Sequence, residues 1–256
     1  MNNLCYGMKV INITQLPGGS FSHPNGAMDM AGSDAGIDFW FSQGRWKCIA
    51  GPWGNGTYFF TAVDAKGNVE KVHCADGKDR VVTIALTHSA KKYVKTKLGK
   101  IYENGIPLYE EGTVGKATGN HIHYEVAEGI RTTKYYNSKL RVYRMTGELN
   151  PIKVTFVNKS FSRVAASSLG KASLKYCDKL TYKADPVKTY KVTAKSGLRL
   201  RKAAGTNNDI LVLMPLNTVV TYLNNKKTVN NTPWFNVKAT VNGKTYQGWC
   251  SSEWLG

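Results

Sequence analysis

The sequence contains no apolar run long enough to cross a membrane. No stretch of about 18 consecutive apolar residues occurs in the 256 residues, whereas a transmembrane helix needs about 20. The N-terminus, MNNLCYGMKVINITQLPGG, also lacks the basic start and apolar core of a secretory signal. We therefore expect neither a membrane span nor export through a signal peptide.

Cysteine is scarce, and its spacing matches none of the common motifs. The five cysteines are widely spread, and none belongs to a C-x-x-C pair. An odd number without clustering argues against a disulfide framework and against a thiolate zinc site. The pattern indicates synthesis in a reducing compartment. The residues are Cys5, Cys48, Cys74, Cys177 and Cys250.

Acidic residues are few. The chain has 17 Asp and Glu against 35 Lys and Arg, which gives a formal net charge of +18. Such a charge attracts polyanions: nucleic acids, anionic lipid headgroups or anionic cell-wall polymers. Charge alone does not choose among them, but the chain shows no recognisable nucleic-acid motif, and we expect no nucleic-acid partner.

Short β-like runs separated by Gly, Asn and Asp clusters recur along the chain, without a long amphipathic helix pattern. The hydrophobic fraction of 42% is enough for packed cores. Residues 1–157 carry such runs at 57–63, 81–86, 122–126 and 152–157. They predict an antiparallel β-sheet domain with long loops. The predicted fold class is therefore mainly β.

The rest of the chain divides into two further segments. Residues 158–187 are rich in Ser, Ala and Lys, so we predict a linker or a short helix that Pro186 would stop. Residues 188–256 return to β runs, at 190–194, 210–214, 219–223, 234–240 and 246–250. Asn224-Asn225 and Asn242-Gly243 predict turns between them. Five short strands in about seventy residues favour a small β-barrel.

Two of the five histidines lie one residue apart in ATGNHIHYEV, residues 117–126. If this stretch forms a strand, His121 and His123 project from the same face. Such a pair suits metal binding, or one ligand beside one acid/base group. The H-x-H pattern alone fits two surface histidines equally well. Glu125 follows on the same face, where it either orients a ligand or is solvated.

Two other segments offer side chains for a metal site. In SFSHPNGAMDMAG, a Gly-containing loop could fold His23 and Asp29 onto one centre, although the same residues suit an ordinary turn. His88 stands where an apolar strand meets a basic segment, either in an active site or in an exposed loop. Catalytic zinc typically takes three His or carboxylate ligands and leaves a position for water.

These segments together resemble the lysostaphin-type zinc metallopeptidases, which cut peptide bonds in bacterial peptidoglycan. The resemblance covers roughly residues 15–130, and GNHIHYEV with its ATGN lead-in is its most specific part. It implies a zinc ion bound by His23, Asp29 and His123. It also implies His88 and His121 as the catalytic histidines that do not bind the metal.

The early part of the motif departs from the family pattern. Five residues separate His23 from Asp29, where the family has three. Asp34 and Asp38 therefore stay open as alternative carboxylate ligands. His73, in KVHCADG, matches nothing in the motif, and we predict that it is structural or exposed.

The C-terminal runs GLRLR, WFNV and GWCSSEWL resemble the bacterial SH3-like (SH3b) domains appended to cell-wall hydrolases. The resemblance covers nearly all of residues 188–256 and implies a small β-barrel that binds peptidoglycan. Trp234 and Trp249 could stack on sugar rings. A barrel of this size needs large apolar side chains, however, so we predict that both fill its core.

The two resemblances imply a modular peptidoglycan hydrolase, a zinc-dependent endopeptidase targeted to the wall by its C-terminal module. Peptidoglycan and anionic wall polymers are the expected partners. Without a signal peptide, such an enzyme resembles a phage endolysin, made in the bacterial host cytoplasm and acting on the wall after release. An autolysin exported by another route is one alternative. The other is a catalytically inactive cell-wall-binding protein or a phage structural (tail) protein.

Overall fold

Most of the chain folds into short β-strands, and the prediction of a mainly β protein is confirmed. The structure is a computed structural model that describes residues 1–18, 23, 25–32, 38–89, 96–166, 168–180 and 188–256. The chain divides into two units, Met1–Lys183 and Ala184–Gly256. Among the described residues, no helix has both the length and the apolar character to cross a membrane.

Among its described residues, the N-terminal unit holds one short α-helix, α1 (Pro151–Val154), and a 3₁₀ turn at Lys171–Ser173. Its described strands are β1 (Asn2–Asn3), β2 (Val10–Gln15), β3 (Ala27–Ala31), β4 (Phe39–Phe41), β5 (Trp46–Trp53), β6 (Thr57–Ala62), β7 (Val72–His73), β8 (Asp79–Arg80), β9 (Val82–Thr87), β10 (Ile101–Tyr102), β11 (Pro107–Glu110), β12 (Ile122–Glu128), β13 (Tyr135–Asn137), β14 (Val142–Arg144), β15 (Glu148–Leu149), β16 (Phe156–Asn158), β17 (Arg163–Val164) and β18 (Lys175–Cys177).

One large sheet dominates this unit, in the order β10-β5-β6-β9-β12-β3-β2-β17, with β15 also paired to β12. Its neighbours are antiparallel except β17, which runs parallel to β2. β6 and β9 are buried along their whole length. Tyr58 and Phe60 belong to the main core, while Phe59 packs with Ala85 and Ala127 in a second cluster. Successive side chains of these strands thus point to opposite faces, and both faces of the sheet are buried at its centre.

The prediction of a strand over residues 152–157 is wrong in its first half, where α1 forms instead. Asn150 caps this helix, because its side chain accepts hydrogen bonds from the backbone N–H groups of Ile152 and Lys153. Pro151 suits the first helical turn, where its missing N–H leaves no donor unsatisfied. Strand structure begins at Phe156, in β16.

Most of segment 158–187, predicted as a linker, falls within the N-terminal unit. Its strands β17 and β18 pair in parallel with β2 and β16. Ser162 and Ser168 donate hydrogen bonds to the carbonyls of Met8 and Ile11, each at 2.7 Å, and Leu174 is buried. Small side chains here lie against the N-terminal strands. Pro186, the predicted stop, lies outside the described residues.

The C-terminal unit contains a six-stranded antiparallel sheet in the order β19-β22-β23-β24-β20-β21. Its core includes Leu200, Val220 and Val237, and Trp234 and Trp249 are buried, as predicted. A 3₁₀ turn covers Ser252–Trp254. The strands are β19 (Thr189–Lys191), β20 (Leu198–Arg201), β21 (Ile210–Met214), β22 (Val219–Val229), β23 (Thr232–Val241) and β24 (Lys244–Ser251).

Only one of the two predicted Asn turns forms. Asn242-Gly243 joins β23 to β24 with φ angles of 50° and 74°, as a tight hairpin turn with two left-handed residues requires. Asn224-Asn225 lies instead within β22, where the register with β23 shifts. The chain reverses further on, at Asn230-Asn231, where both φ angles are positive. β22 is therefore longer than predicted.

Candidate metal centre

Strands β3 and β12 bring two of the predicted ligands face to face. Asp29 in β3 lies directly opposite His123 in β12 in the antiparallel register. Ile122 and Tyr124 are fully buried in the main core. Because side chains alternate along a strand, His123 projects from the other face of the sheet, together with Asp29.

His23 forms a compact cluster with these two residues. Its Nε2 lies 2.8 Å from Asp29 Oδ1. His123 Nδ1 lies 3.1 Å from His23 Nε2 and 3.0 Å from Asp29 Oδ1. The His23 carbonyl accepts a hydrogen bond from the backbone N–H of Gly18 at 2.7 Å, which helps to hold the loop. The structure thus places the three predicted ligands together, with His23 and Asp29 buried and His123 half-buried.

The donor atoms of this cluster suit a tetrahedrally coordinated zinc ion. At zinc–ligand distances of ~2.0–2.1 Å, tetrahedral geometry separates two ligand atoms by about 3.3–3.4 Å. The observed separations of 2.8–3.1 Å are slightly shorter, so a small outward movement accommodates the ion. Two imidazoles and one carboxylate are also a donor set that zinc prefers. The residues therefore fit zinc.

The charges around the cluster favour a cation at its centre. Burial acts to raise the pKa of Asp29, but hydrogen bonds from His123 and His23 hold that pKa well below its ordinary range. Burial acts to lower the pKa of His123, yet Asp29 and Glu125 raise it to about 9. The two carboxylates thus draw positive charge onto His123, and a metal cation supplies the same charge.

Glu125 is buried behind His123, so the alternative of a solvated side chain is wrong. It is 2% exposed, and its Oε1 lies 3.5 Å from His123 Nε2. Lys134 Nζ contacts the other oxygen, Oε2, and the Lys134 side chain is 5% exposed. Burial acts to raise the pKa of Glu125, but Lys134 and His123 lower that pKa to about 2. Sequence reasoning missed Lys134, because it belongs to no motif and follows β12 in an irregular segment.

His121 lies beside the cluster without joining it. Its Nδ1 is 2.8 Å from the Gly119 carbonyl, and its Nε2 is 3.5 Å from Asp29 Oδ2. A carbonyl only accepts hydrogen bonds, so Nδ1 carries a proton. The backbone of His121 forms an isolated bridge with Gly112. These contacts leave Nε2 as the reactive nitrogen.

His88 is buried at the end of β9, so the alternative of an exposed loop histidine is wrong. Its φ is 76°, a left-handed conformation that is uncommon outside glycine. The backbone N–H donates to the Asn55 carbonyl at 3.1 Å, and Nδ1 lies 2.8 Å from the Val114 carbonyl.

Burial lowers the pKa of His88 to about 4. The imidazole is therefore neutral near pH 7, with its proton on Nδ1. Its ring centroid is 4.6 Å from that of His121.

The alternative carboxylates do not join the cluster in the described part of the chain. Asp38 is absent from the group of potential metal ligands, and its carboxylate packs closely against Gly32. Glu111 accepts hydrogen bonds from the backbone N–H groups of Gly32 and Asp38, each at 3.1 Å. Asp34 lies outside the described residues. His73 is at the surface, as predicted.

Comparison with known proteins gives partial likenesses. No protein-family model matches the chain. Morphogenesis protein 1 of Bacillus phage B103 is 30% identical over 125 residues, which are 48% of this chain and 32% of that protein. The chain thus matches about a third of the length of this curated relative.

Two solved structures of lysostaphin also align with the chain. One is described as the antimicrobial peptidase lysostaphin from Staphylococcus simulans, at 11% identity and a TM-score of 0.29, over 91% of this chain and 87% of that one. The other is a solution NMR structure of lysostaphin, at 12% identity and the same TM-score, over 88% and 79% of the two chains.

Proposed function

We propose that the N-terminal unit is a zinc-dependent endopeptidase that cleaves peptide bonds of bacterial peptidoglycan. The observation that carries this proposal is the cluster of His23, Asp29 and His123 with two further histidines, His88 and His121, beside it. A structural zinc site is closed by four protein ligands, whereas a catalytic one has three and keeps a position open. Three ligands flanked by histidines that do not join them support a hydrolytic site.

Amide hydrolysis requires an activated nucleophile, a proton acceptor and stabilisation of the developing oxyanion. Zinc, when bound, supplies a Lewis acid. His88 accepts a proton from the attacking water at Nε2, because its Nδ1 is committed to the Val114 carbonyl and the ring is neutral. The same imidazole then returns the proton to the leaving amine.

His121 takes the complementary role. Its Nδ1 is bonded to the Gly119 carbonyl, and its Nε2 lies near Asp29 Oδ2. In the imidazolium form, Nε2 donates a hydrogen bond to the oxyanion of the tetrahedral intermediate. Glu125, paired with Lys134, orients His123 from behind.

The sequence features support bacterial peptidoglycan as the substrate. The ATGNHIHYEV stretch resembles enzymes that act on it, and the C-terminal unit resembles SH3b wall-binding modules. We propose that the C-terminal unit binds peptidoglycan and so raises the local concentration of the peptidase on an insoluble polymer. The net charge of +18 favours binding to walls that carry anionic polymers. A phage endolysin is the biological role that these features support best.

A second candidate is a structural role in a phage particle with an inactive peptidase-like unit. The name of the partial relative, a phage morphogenesis protein, favours it. The arrangement of the site favours the active enzyme, because an inactive unit has no need for two unligated histidines beside three clustered ligands.

Digestion of purified bacterial walls tests the proposal. New amino and carboxyl termini, identified by mass spectrometry, should appear with the zinc-loaded protein and disappear after chelation. His121→Ala should release them at a rate lower by about 10²–10⁴-fold. Release of reducing sugars without new amines would exclude the peptidase. Wall binding without cleavage by the zinc-loaded protein would favour the structural role.

A further inference from the structure

Two cysteine thiols of the N-terminal unit lie in contact. The Sγ atoms of Cys5 and Cys177 are 3.7 Å apart, although 172 positions separate the two residues in sequence. Cys48 and Cys74, by contrast, face backbone carbonyls, those of Ala50 and Val72. Cys250 is buried in the other unit. The fold therefore brings together one pair of the five cysteines, although their spacing in the sequence predicts no pairing.

The backbone near these thiols explains their approach. Cys5 forms a parallel bridge with Phe156 at the start of β16, and β16 pairs in parallel with β18, which ends at Cys177. A disulfide requires an S–S distance of ~2.0 Å, so the sulfurs must approach by about 1.7 Å. Within the described chain, β18 pairs only with β16, and Cys177 is partly exposed. This strand has room to adjust.

The two thiols differ in a way that suits sequential reaction. Cys5 is 3% exposed, whereas Cys177 is accessible to a small reagent. The hydrogen bond with Cys5 lowers the pKa of Cys177, while the same contact and burial raise the pKa of Cys5. The thiolate is the nucleophile in thiol–disulfide exchange. Cys177 is thus the thiol that reacts first.

We propose that Cys5 and Cys177 form a disulfide cross-link when the protein meets a low-molecular-weight disulfide such as glutathione disulfide. The Cys177 thiolate attacks one glutathione sulfur, the glutathione S–S bond breaks, and glutathione thiolate leaves. The Cys5 thiol loses its proton and attacks the Cys177 sulfur of this mixed disulfide, and the second glutathione thiolate leaves. The two protein thiols are oxidised, and one glutathione disulfide is reduced to two glutathiones.

The cross-link would join the first residues of the N-terminal unit to its last described strand. It closes almost the whole unit into one covalent loop, which restricts the unfolded chain more than the folded one. We expect the melting temperature of this unit to rise by roughly 5–15 °C. The inference is independent of the proposed activity.

Oxidation of the reduced protein with glutathione disulfide tests the cross-link. Alkylation of the remaining thiols and non-reducing digestion should yield one linked peptide pair that contains Cys5 and Cys177. Dithiothreitol should reverse both the link and the rise in melting temperature. Cys250→Ser, the matched control in the other unit, should cross-link normally, and Cys177→Ser should not.

Two results would overturn the proposal. One is a product that stops at glutathionylated Cys177 with Cys5 still free to be alkylated after unfolding. The other is that Cys5 and Cys177 both remain unmodified thiols after treatment with glutathione disulfide. Because the readout is peptide mapping, it does not depend on how stable the variants are, and the wild-type protein alone decides the outcome.

Discussion

Asp29 and His123 lie directly opposite each other on the adjacent antiparallel strands β3 and β12, with Oδ1 and Nδ1 3.0 Å apart. The sheet register therefore sets the distance between two of the three proposed zinc ligands. His23 reaches the same point from a loop. The site thus combines a pair held by backbone hydrogen bonds with one ligand whose position depends on a loop.

The first prediction concerns the ligand set. His23→Ala, Asp29→Ala and His123→Ala should each abolish zinc retention, because a site with two protein ligands binds zinc far more weakly than one with three. Metal analysis of the purified variants measures this. His73→Ala, a surface control, should retain zinc and activity. A fully zinc-loaded His123→Ala protein would contradict the assignment.

The second prediction separates the catalytic histidines from the ligands. His88→Ala and His121→Ala should each keep zinc but lower the rate of wall digestion by about 10²–10⁴-fold, the usual contribution of a general acid or base. Metal content and initial rates on the same protein preparations check it. Loss of zinc from either variant would indicate that the substituted histidine is itself a zinc ligand.

The third prediction concerns the buried pair behind His123. Lys134→Met leaves the Glu125 carboxylate buried without its cation and should cost about 3–5 kcal/mol of unfolding free energy. Glu125→Gln in addition should recover part of the loss, because no uncompensated charge remains. Lys139→Met, an exposed control in the loop between β13 and β14, should have little effect. Equal stability of the two Lys variants in urea would argue against a structural pair.

The fourth prediction is a dependence of stability on pH through Glu111. Burial raises the pKa of this carboxyl from 4.5 to about 7, despite hydrogen bonds from Gly32 and Asp38. Between these values the folded protein holds a proton that the unfolded chain has released. The contribution of Glu111 to the free energy of unfolding is therefore fully present below pH 4.5 and is lost as pH rises through about 7.

Glu111→Gln removes this titration, so its melting temperature should change less than that of the wild type between pH 5 and pH 8, roughly the window of the shift. The effect is bounded at about 3 kcal/mol by the size of the shift. Glu128→Gln, a control whose side chain is 61% exposed, should follow the wild-type profile. A Glu111→Gln profile parallel to the wild type would exclude Glu111 as the group responsible.

The sequence was informative where a local pattern determines structure. The apolar runs predict β6, β9 and β12 to within about two residues at each end, because a strand buried on one or both faces shows in its own residues. The H-x-H spacing likewise predicts that His121 and His123 share a face. The family motif was enough to predict that His23, Asp29 and His123 lie together.

Contacts between distant segments could not be predicted in this way. Lys134 pairs with Glu125, and Val114 orients His88, through irregular loops without a repeating pattern. The contact between Cys5 and Cys177 depends on strand pairing between the two ends of the unit. The Asn150-Pro151 start of α1 is different. It is a local capping signal that the apolar run over residues 152–157 outweighed in the prediction.

The position of β12 has a consequence for how the protein loses function on heating. β12 is hydrogen bonded along one edge to β9 and along the other to β3 and β15, so it cannot fray from the sheet alone. Its amide hydrogens should exchange with solvent only in the largest cooperative opening of the N-terminal unit. Loss of activity below the unfolding temperature of this unit should then arise at the loop that carries His23, because the strand that carries His123 is among the last to be released.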